Sequence, residues 1–465
     1  MYKTLPLKLY LSDEQRGYWL DQCTHSNKLR NVALYLIRSA HYERLDRLQA
    51  YGIYWFDDCL KSCWQTWYCS APTSTYPSLY QELKTNEHYQ ALAAQSAQQT
   101  LRTVCESIKA YNALVKLYYE GQLDQKPKLP KYRKNGLFQV TFPKQALSFR
   151  DGFCYPSISR GAKDEVLSDI GIQVPDFIDT DWIKELTIKP LFGEFWAYWV
   201  IDDGKESVSC NEHLNYSEAI AFDHGGANWL TGVSTLGKSL IIDGRKMRSL
   251  NQGYCRLVAK YKHGKSDFYW DENLDRIQAK HNNQKRDLIN KTARFIVNYC
   301  LNNQIGNVVF GWNGDIKQGS QMGKQNNQNF VMIPTKRLID RVIQLADEYG
   351  IKVTVTEEAY TSKASFLDGD KLYPHGEKPD EVKFSGKRVK RGLYQTANGW
   401  AINADCNGAA NILKKVVTQL GLNLIKVGRG ALTLPNRYDL FTCVSKSYRK
   451  NAMRATSKDW QAAPI

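Results

Sequence analysis

At 465 residues the chain is too long for one ordinary hydrophobic core, and two to four domains are expected. Lysine and arginine outnumber aspartate and glutamate by 63 to 47, a formal charge of +16 with a pI near 9.2, which points to nucleic acid ahead of a membrane. No segment has the composition of a signal peptide or the apolar length of a membrane span, and the 11 cysteines include no Cys-x-x-Cys pair. A cytoplasmic protein with reduced thiols and no membrane partner is the expectation. Cys59, Cys63 and Cys69 lie close together, but their spacing fits no common zinc or redox pattern.

Residues 2–11 alternate polar and apolar side chains and read as a strand; Ser12-Asp-Glu-Gln15 then has the composition of a helix N-cap. From there to about residue 119 the pattern is helical, with one segment at 12–43 and a longer region at 83–119 that reads as two helices. Arg30, Asn31, Arg38, Arg44 and Arg47 put basic and amide groups on the first segment, which suits either a layer that binds a nucleic-acid duplex or a plain helical bundle. The 12 tryptophans and 28 tyrosines serve equally as base-stacking faces or as core. Residues 126–135 are basic and proline-punctuated, which forbids a continuous helix. Residues 138–142, 187–192 and 194–201 read as strands of a β-rich module, and a domain boundary falls in the polar connector 204–217.

Beyond it, the apolar run 219–222 stops at Asp223-His-Gly-Gly226. A carboxylate at the end of a buried strand costs desolvation energy unless something positive sits against it. The glycines turn the chain and admit a ligand closely, and 230–233 return as a second strand. A helix over 274–303 carries Leu288, Thr292, Phe295, Ile296 and Tyr299 on one face and Lys280, Lys285, Arg286 and Lys291 on the other. A strand at 308–311, an amphipathic helix at 335–349 bracketed by Pro334 and Gly350, and a strand at 351–358 complete an alternation that predicts an α/β layer. The last strand ends in Glu357-Glu358. A third acid opens Asp405-Cys-Asn-Gly-Ala-Ala-Asn-Ile412, where Gly408, Ala409 and Ala410 allow close helix packing. If these acids converge, divalent cations would relieve their repulsion, and hard oxygen donors select Mg²⁺ or Mn²⁺.

Asp223-x-Gly225, Pro334 with its helix, Tyr360-Thr-Ser-Lys363 and the Asp405–Ile412 run, in this order, resemble the TnpB family of transposon-encoded RNA-guided nucleases, relatives of type V CRISPR effectors and of the Fanzor proteins. The resemblance spans about residues 1–430, with its strong motifs all after 219. It implies an α/β RNase H-like (RuvC-like) nuclease domain at 211–412. A first wedge strand (1–11), a helical recognition lobe (12–120) and a β-rich wedge (121–210) would precede that domain, and a basic tail (413–465) would follow it. It implies further a Mg²⁺-dependent endodeoxyribonuclease of a mobile element, with a guide RNA choosing the target DNA and with Asp223, Glu358 and Asp405 as metal ligands. A nuclease-dead RNA-guided repressor and a transposition accessory protein are the rival readings.

The chain departs from the family pattern twice. Gly311 stands where the middle acid usually lies, and Glu358 stands directly before Ala-Tyr-Thr-Ser, where Fanzor proteins and some bacterial relatives carry a relocated glutamate. A strand neighbouring that of Asp223 could present it; Glu357 competes, because alternation along Val353, Val355 and Glu357 is ambiguous at a strand end. Ser365, Asp368, Gln395 and Asn398 occupy the positions of the family's four zinc-ribbon cysteines, so no zinc is expected and residues 364–400 read as a metal-free insertion. Lys383, Lys387, Arg388, Lys390 and Arg391 make that insertion basic, facing DNA or solvent. The tail from Val427 to Lys458 reads as short of core, mobile or wrapped on nucleic acid, and without chemistry.

Overall fold

The structure, a computed structural model, describes residues 2–50, 75–134, 136–159, 170–204, 206, 208–313 and 332–440. Cys59, Cys63, Cys69, the side chains of Arg44 and Arg47, and the tail beyond residue 440 lie outside them. The chain divides into two units, Met1–Lys205 and Glu206–Ile465.

In the first unit, strand β1 (Tyr2–Lys8) leads into helix α1 (Asp13–Ala50). Ser12 Oγ accepts from the Gln15 amide at 3.2 Å while the Gln15 side chain accepts from the Ser12 amide at 3.1 Å, a reciprocal cap on two otherwise orphaned donors. Leu29 and Leu34 of α1 share a buried cluster with Leu101 and Val104 of α2 (Ala94–Tyr119). Arg38 donates to the Pro130 carbonyl at 2.9 Å, and Asn31 exchanges two hydrogen bonds with the Arg133 backbone. These polar groups of α1 therefore pin the proline-punctuated segment, whose prolines supply no donors of their own. β2 (Val140–Pro143), β3 (Ile183–Leu191) and β4 (Glu194–Asp202) complete a four-stranded sheet in which β1 pairs antiparallel with β4, from Tyr2 opposite Asp202 to Lys8 opposite Trp196. Trp19, Phe142 and Trp199 fill the core on this sheet. A further small sheet (Leu147–Arg150, Phe153–Pro156, Ile172–Gln173), not read from the sequence, joins that core through Cys154 and Ile172.

The second unit is built on a six-stranded mixed sheet. The antiparallel strands β5 (Asn215–His224), β6 (Asn228–Ser234) and β7 (Ser239–Asp243) come first. Helices α3 (Arg245–Lys262) and α4 (Glu272–Asn302) lead to β8 (Ile305–Gly311), and α5 (Thr335–Tyr349) leads to β9 (Lys352–Thr356). β8 lies between β9 and β5, parallel to both. The side-chain alternation of β5 and β8 sorts the two faces. Ile220, Phe222, Val308 and Phe310 pack with apolar residues of α4 and α5. Ala219, Ala221 and Val309 pack on the opposite face with Ala409, Ala410 and Ile412 of α6 (Ala404–Leu420). β7 and α3 escaped the sequence reading because the apolar run Leu240-Ile-Ile242 is only three residues long.

Before α6, β10 (Lys387–Lys390), β11 (Leu393–Gln395) and β12 (Ala401–Asn403) form a small antiparallel sheet. A carboxylate joins the turn at 365–368 to the turn between β11 and β12: Asp368 Oδ2 accepts from Ser365 Oγ at 2.5 Å and from the Ala397 amide at 2.8 Å.

The boundary expected after residue 412 falls inside α6, which continues to a left-handed cap at Gly421 (φ 61°). The next stretch is also not the coreless segment expected. Val427 and Leu432 are buried, α7 (Arg429–Thr433) packs down, and β13 (Asn436–Tyr438) pairs parallel with β7. The physical reason is the edge of β7, whose unpaired backbone groups need a partner. Among the described residues no helix is long and apolar enough to cross a membrane.

Leu432→Ala should lower unfolding stability by about 2–5 kcal/mol in chemical denaturation, the cost of a cavity at a buried leucine. A mobile segment would lose under about 0.5 kcal/mol at the same position.

Candidate metal centre

Asp223 is the penultimate residue of β5, on the face that α6 covers. That helix comes extremely close there: a Cβ built on Gly408 would stand 2.7 Å from Asp223 Oδ2, so only glycine leaves room for the carboxylate. One turn earlier, Asp405 sits in the first turn of α6, where the exposed amides favour negative charge. Asn403 caps this turn, accepting from the Asp405 and Cys406 amides.

Glu358 arrives by a different route from the one expected. β9 does not adjoin β5; β8 lies between them, and Glu358 must pass the end of β8 to reach Asp223. Gly311 ends β8 at that point. A Cβ there would lie 3.3 Å from Glu358 Cβ and 2.5 Å from Ile412 Cδ1. The space a side chain at Gly311 would need is therefore filled by the Ile412 and Glu358 side chains. Asp223, His224 and Glu358 each bring one ligand atom into a group whose atoms lie within 4.8 Å of one another. Glu357 turns elsewhere: it accepts from the His375 amide at 2.9 Å and pairs with Lys415 at 3.7 Å.

Two sequence motifs hold this arrangement by bonding to each other. Asn407 and Asn411 of α6, both wholly buried, donate to the Ala364 carbonyl, and Asn411 also donates to that of Thr361. Thr361 in turn donates to the Glu358 carbonyl at 2.9 Å. The Tyr360–Lys363 turn, with Tyr360 at a left-handed φ of 63°, is thus fastened to the helix that carries Asp405.

The three acids open into one cleft of about 430 Å³, also lined by Gly225, Asn228, Arg388 and Arg391. Arg388, from β10, reaches Asp405 Oδ1 at 3.3 Å. Asp405 Oδ2 accepts from Asn228 Nδ2 at 2.8 Å, and Asn228 accepts from Arg437 of β13 at 2.8 Å. Arg437 also holds the buried Asp243 at 2.9 Å. Sequence reasoning missed Asn228 and Arg437 as residues of this site; Arg437 is 209 positions from Asn228, and no local signal joins them. Burial pushes the Asp223 carboxyl up to about 7; Glu358 and Asp405 push the same way, against His224 and Arg388. A half-buried carboxylate crowded by two others suits a hard divalent cation, whose charge would offset both the burial and the repulsion.

The chain thus carries an α/β unit with acids gathered at one end of its mixed sheet. No protein-family model and no curated protein matches it. Among solved structures, it is similar to a Cas12f1–sgRNA–target DNA complex at 14% identity and a TM-score of 0.42, covering 89% of this chain and 98% of that one. It is also similar to the mini RNA-guided endonuclease CRISPR-Cas_phi3 (9% identity, TM-score 0.41, 90% and 92% covered) and to a CRISPR-Cas12f ternary complex (11%, 0.28, 87% and 82%).

Because the folded value of Asp223 lies above the ordinary carboxylate value of about 4, folding favours its protonated form. Its contribution is therefore complete below about pH 4 and is lost as pH rises toward about 7. In EDTA, Asp223→Asn should melt higher than the parent above pH 7 and near it at pH 4. Equal melting curves at pH 8 would contradict the burial assigned to this carboxylate.

Gly311→Ala should lower the melting temperature and weaken Mn²⁺ binding. Adding Ile412→Val removes the 2.5 Å contact to Cδ1 but leaves Cγ1 at 3.1 Å, so it should recover part of the stability and not the binding, because the 3.3 Å contact to Glu358 remains. Calorimetric titration of both variants separates the two effects; full recovery of binding would show that Glu358 does not need the space at Gly311.

Proposed function

We propose that this chain is an RNA-guided DNA endonuclease of a mobile element, acting in the cytoplasm through an RNase H-like (RuvC-like) site. The observation that carries the reading is that Asp223, Glu358 and Asp405, from motifs 182 positions apart at the extremes, line one cleft that also holds two arginines. The resemblance of those motifs to the TnpB family supplies the guide RNA and the DNA target. The formal charge of +16 accords with both.

In this reading Asp223, Glu358 and Asp405 would hold two Mg²⁺ or Mn²⁺ ions. Ions there would supply an activated water and charge stabilisation at the leaving 3′-oxygen. Asn228, held by Arg437, orients the Asp405 carboxylate. Arg388 and Arg391, on the insertion, are placed to take a backbone phosphate, with Arg388 exchanging its contact to Asp405 for one to the DNA. The insertion itself needs no zinc in this reading, since Asp368 joins its two turns.

Asp223→Ala and Asp405→Ala should each abolish Mg²⁺-dependent cleavage of guided target DNA yet leave guided binding nearly unchanged, because binding rests on many phosphate contacts elsewhere. Glu358→Gln should lose cleavage by about two orders of magnitude or more, and Glu357→Gln little. The assay uses protein purified with its co-expressed RNA, which is sequenced to supply the guide. Normal cutting by Glu358→Gln would reject the relocated acid; guided binding by a parent that never cuts would establish the repressor reading instead.

A further inference from the structure

His224 follows Asp223 directly, so alternation along β5 sends its side chain to the opposite face, in line with Phe222. Phe222 stacks on Phe310 (ring centres 5.4 Å apart), and His224 lies against Trp312 with the rings tilted by 49° (5.2 Å). Yet β5 ends here, and Glu358 crosses the sheet end at this level. His224 Nδ1 consequently stands 3.2 Å from Glu358 Oε2, with both side chains largely buried (6% and 13% exposed). Two donors bound to one divalent ion at about 2.1 Å each sit roughly 3 Å apart, so the pair already has the spacing of neighbouring ligands. Asp223 completes the group from the other face.

We propose that His224 is a nitrogen ligand of the metal centre, and that the two ion positions are chemically unlike. One is a mixed nitrogen–oxygen position held by Asp223, His224 and Glu358; the other is an all-oxygen position held by Asp223 and Asp405. The proposal rests on the nuclease reading for the presence of ions and adds which residue selects among them. Imidazole binds Mg²⁺ poorly and transition ions well, so the mixed position favours Mn²⁺ over Mg²⁺ while the oxygen position accepts either. The relocation of the middle acid is what makes this possible. A carboxylate on β8 itself would meet Asp223 on the α6 face, whereas Glu358 spans the sheet end and comes within reach of His224. Trp312, whose amide donates to the Thr356 carbonyl at 2.9 Å, extends the pairing of β8 with β9 by one residue and sets its ring against the imidazole.

The test is pulsed electron paramagnetic resonance on the full-length protein loaded with Mn²⁺ alone, with natural-abundance and ¹⁵N-histidine samples. The parent should show hyperfine coupling to one histidine nitrogen that changes with the isotope. His224→Leu, and His224→Gln as a second variant should the first fail to fold, should lose that coupling. Each should weaken Mn²⁺ binding roughly 10- to 100-fold while changing Mg²⁺ binding much less. An ion bound without nitrogen coupling in the parent, or coupling that persists in a folded His224 variant, overturns the proposal and leaves the nuclease reading standing. Nitrogen coupling in a parent that cuts no guided DNA supports the ligand and overturns the nuclease reading alone. Failure of the parent to bind Mn²⁺ at all overturns both.

Discussion

Everything at the candidate centre depends on how closely helix α6 lies against the end of strand β5. An alanine stripe on the strand, Ala219 and Ala221, meets Ala409 and Ala410 on the helix, and Gly408 lies directly under the Asp223 carboxylate. Each larger residue in that seam would lift the helix, and with it Asp405, away from Asp223. The seam buries little surface per residue, so its contribution per side chain is smaller than that of the Phe222–Phe310 face. What it contributes instead is distance. Two carboxylates that repel one another are held in one cleft because the surrounding packing, with three hydrogen bonds donated and one accepted by two buried asparagines, over-determines their positions.

The same constraint explains why a glycine stands at the end of β8. With α6 pressed against the sheet, Ile412 occupies the volume that a side chain at Gly311 would need. Glu358 Cβ lies against the same space, and its acid comes from the next strand over. Because Glu358 crosses the sheet end from β9, its carboxylate comes within 3.2 Å of His224 on the other face.

Two segments that look peripheral in the sequence supply the supports of the third acid. Arg388 from the basic insertion and Asn228, itself held by Arg437 from beyond α6, take one oxygen each of Asp405. Asp405 thus has Asn228 on one oxygen and a guanidinium on the other. The partly exposed Arg388 contact is worth little by itself and is the easier of the two to exchange for a phosphate. β13 earns its place twice over, covering the edge of β7 and delivering Arg437 to the cleft.

The sequence by itself determined the three acids, their order and the α/β alternation around them. Each of those is a local signal: a buried run stopped by an acid and glycines, an amphipathic period bracketed by Pro334 and Gly350, an acid heading a run of small residues. It determined Glu358 only as one of two adjacent candidates, since alternation cannot resolve a strand end. The tertiary structure alone decided that Glu358 faces Asp223 while Glu357 faces His375 and Lys415. It also decided that the strand before Glu358 lies one place farther out than expected, that the tail to residue 438 belongs to the sheet, and that Arg437 touches Asn228. Strand order and edge coverage are chosen by which faces bury one another across hundreds of residues, and no window of sequence contains both partners of such a choice.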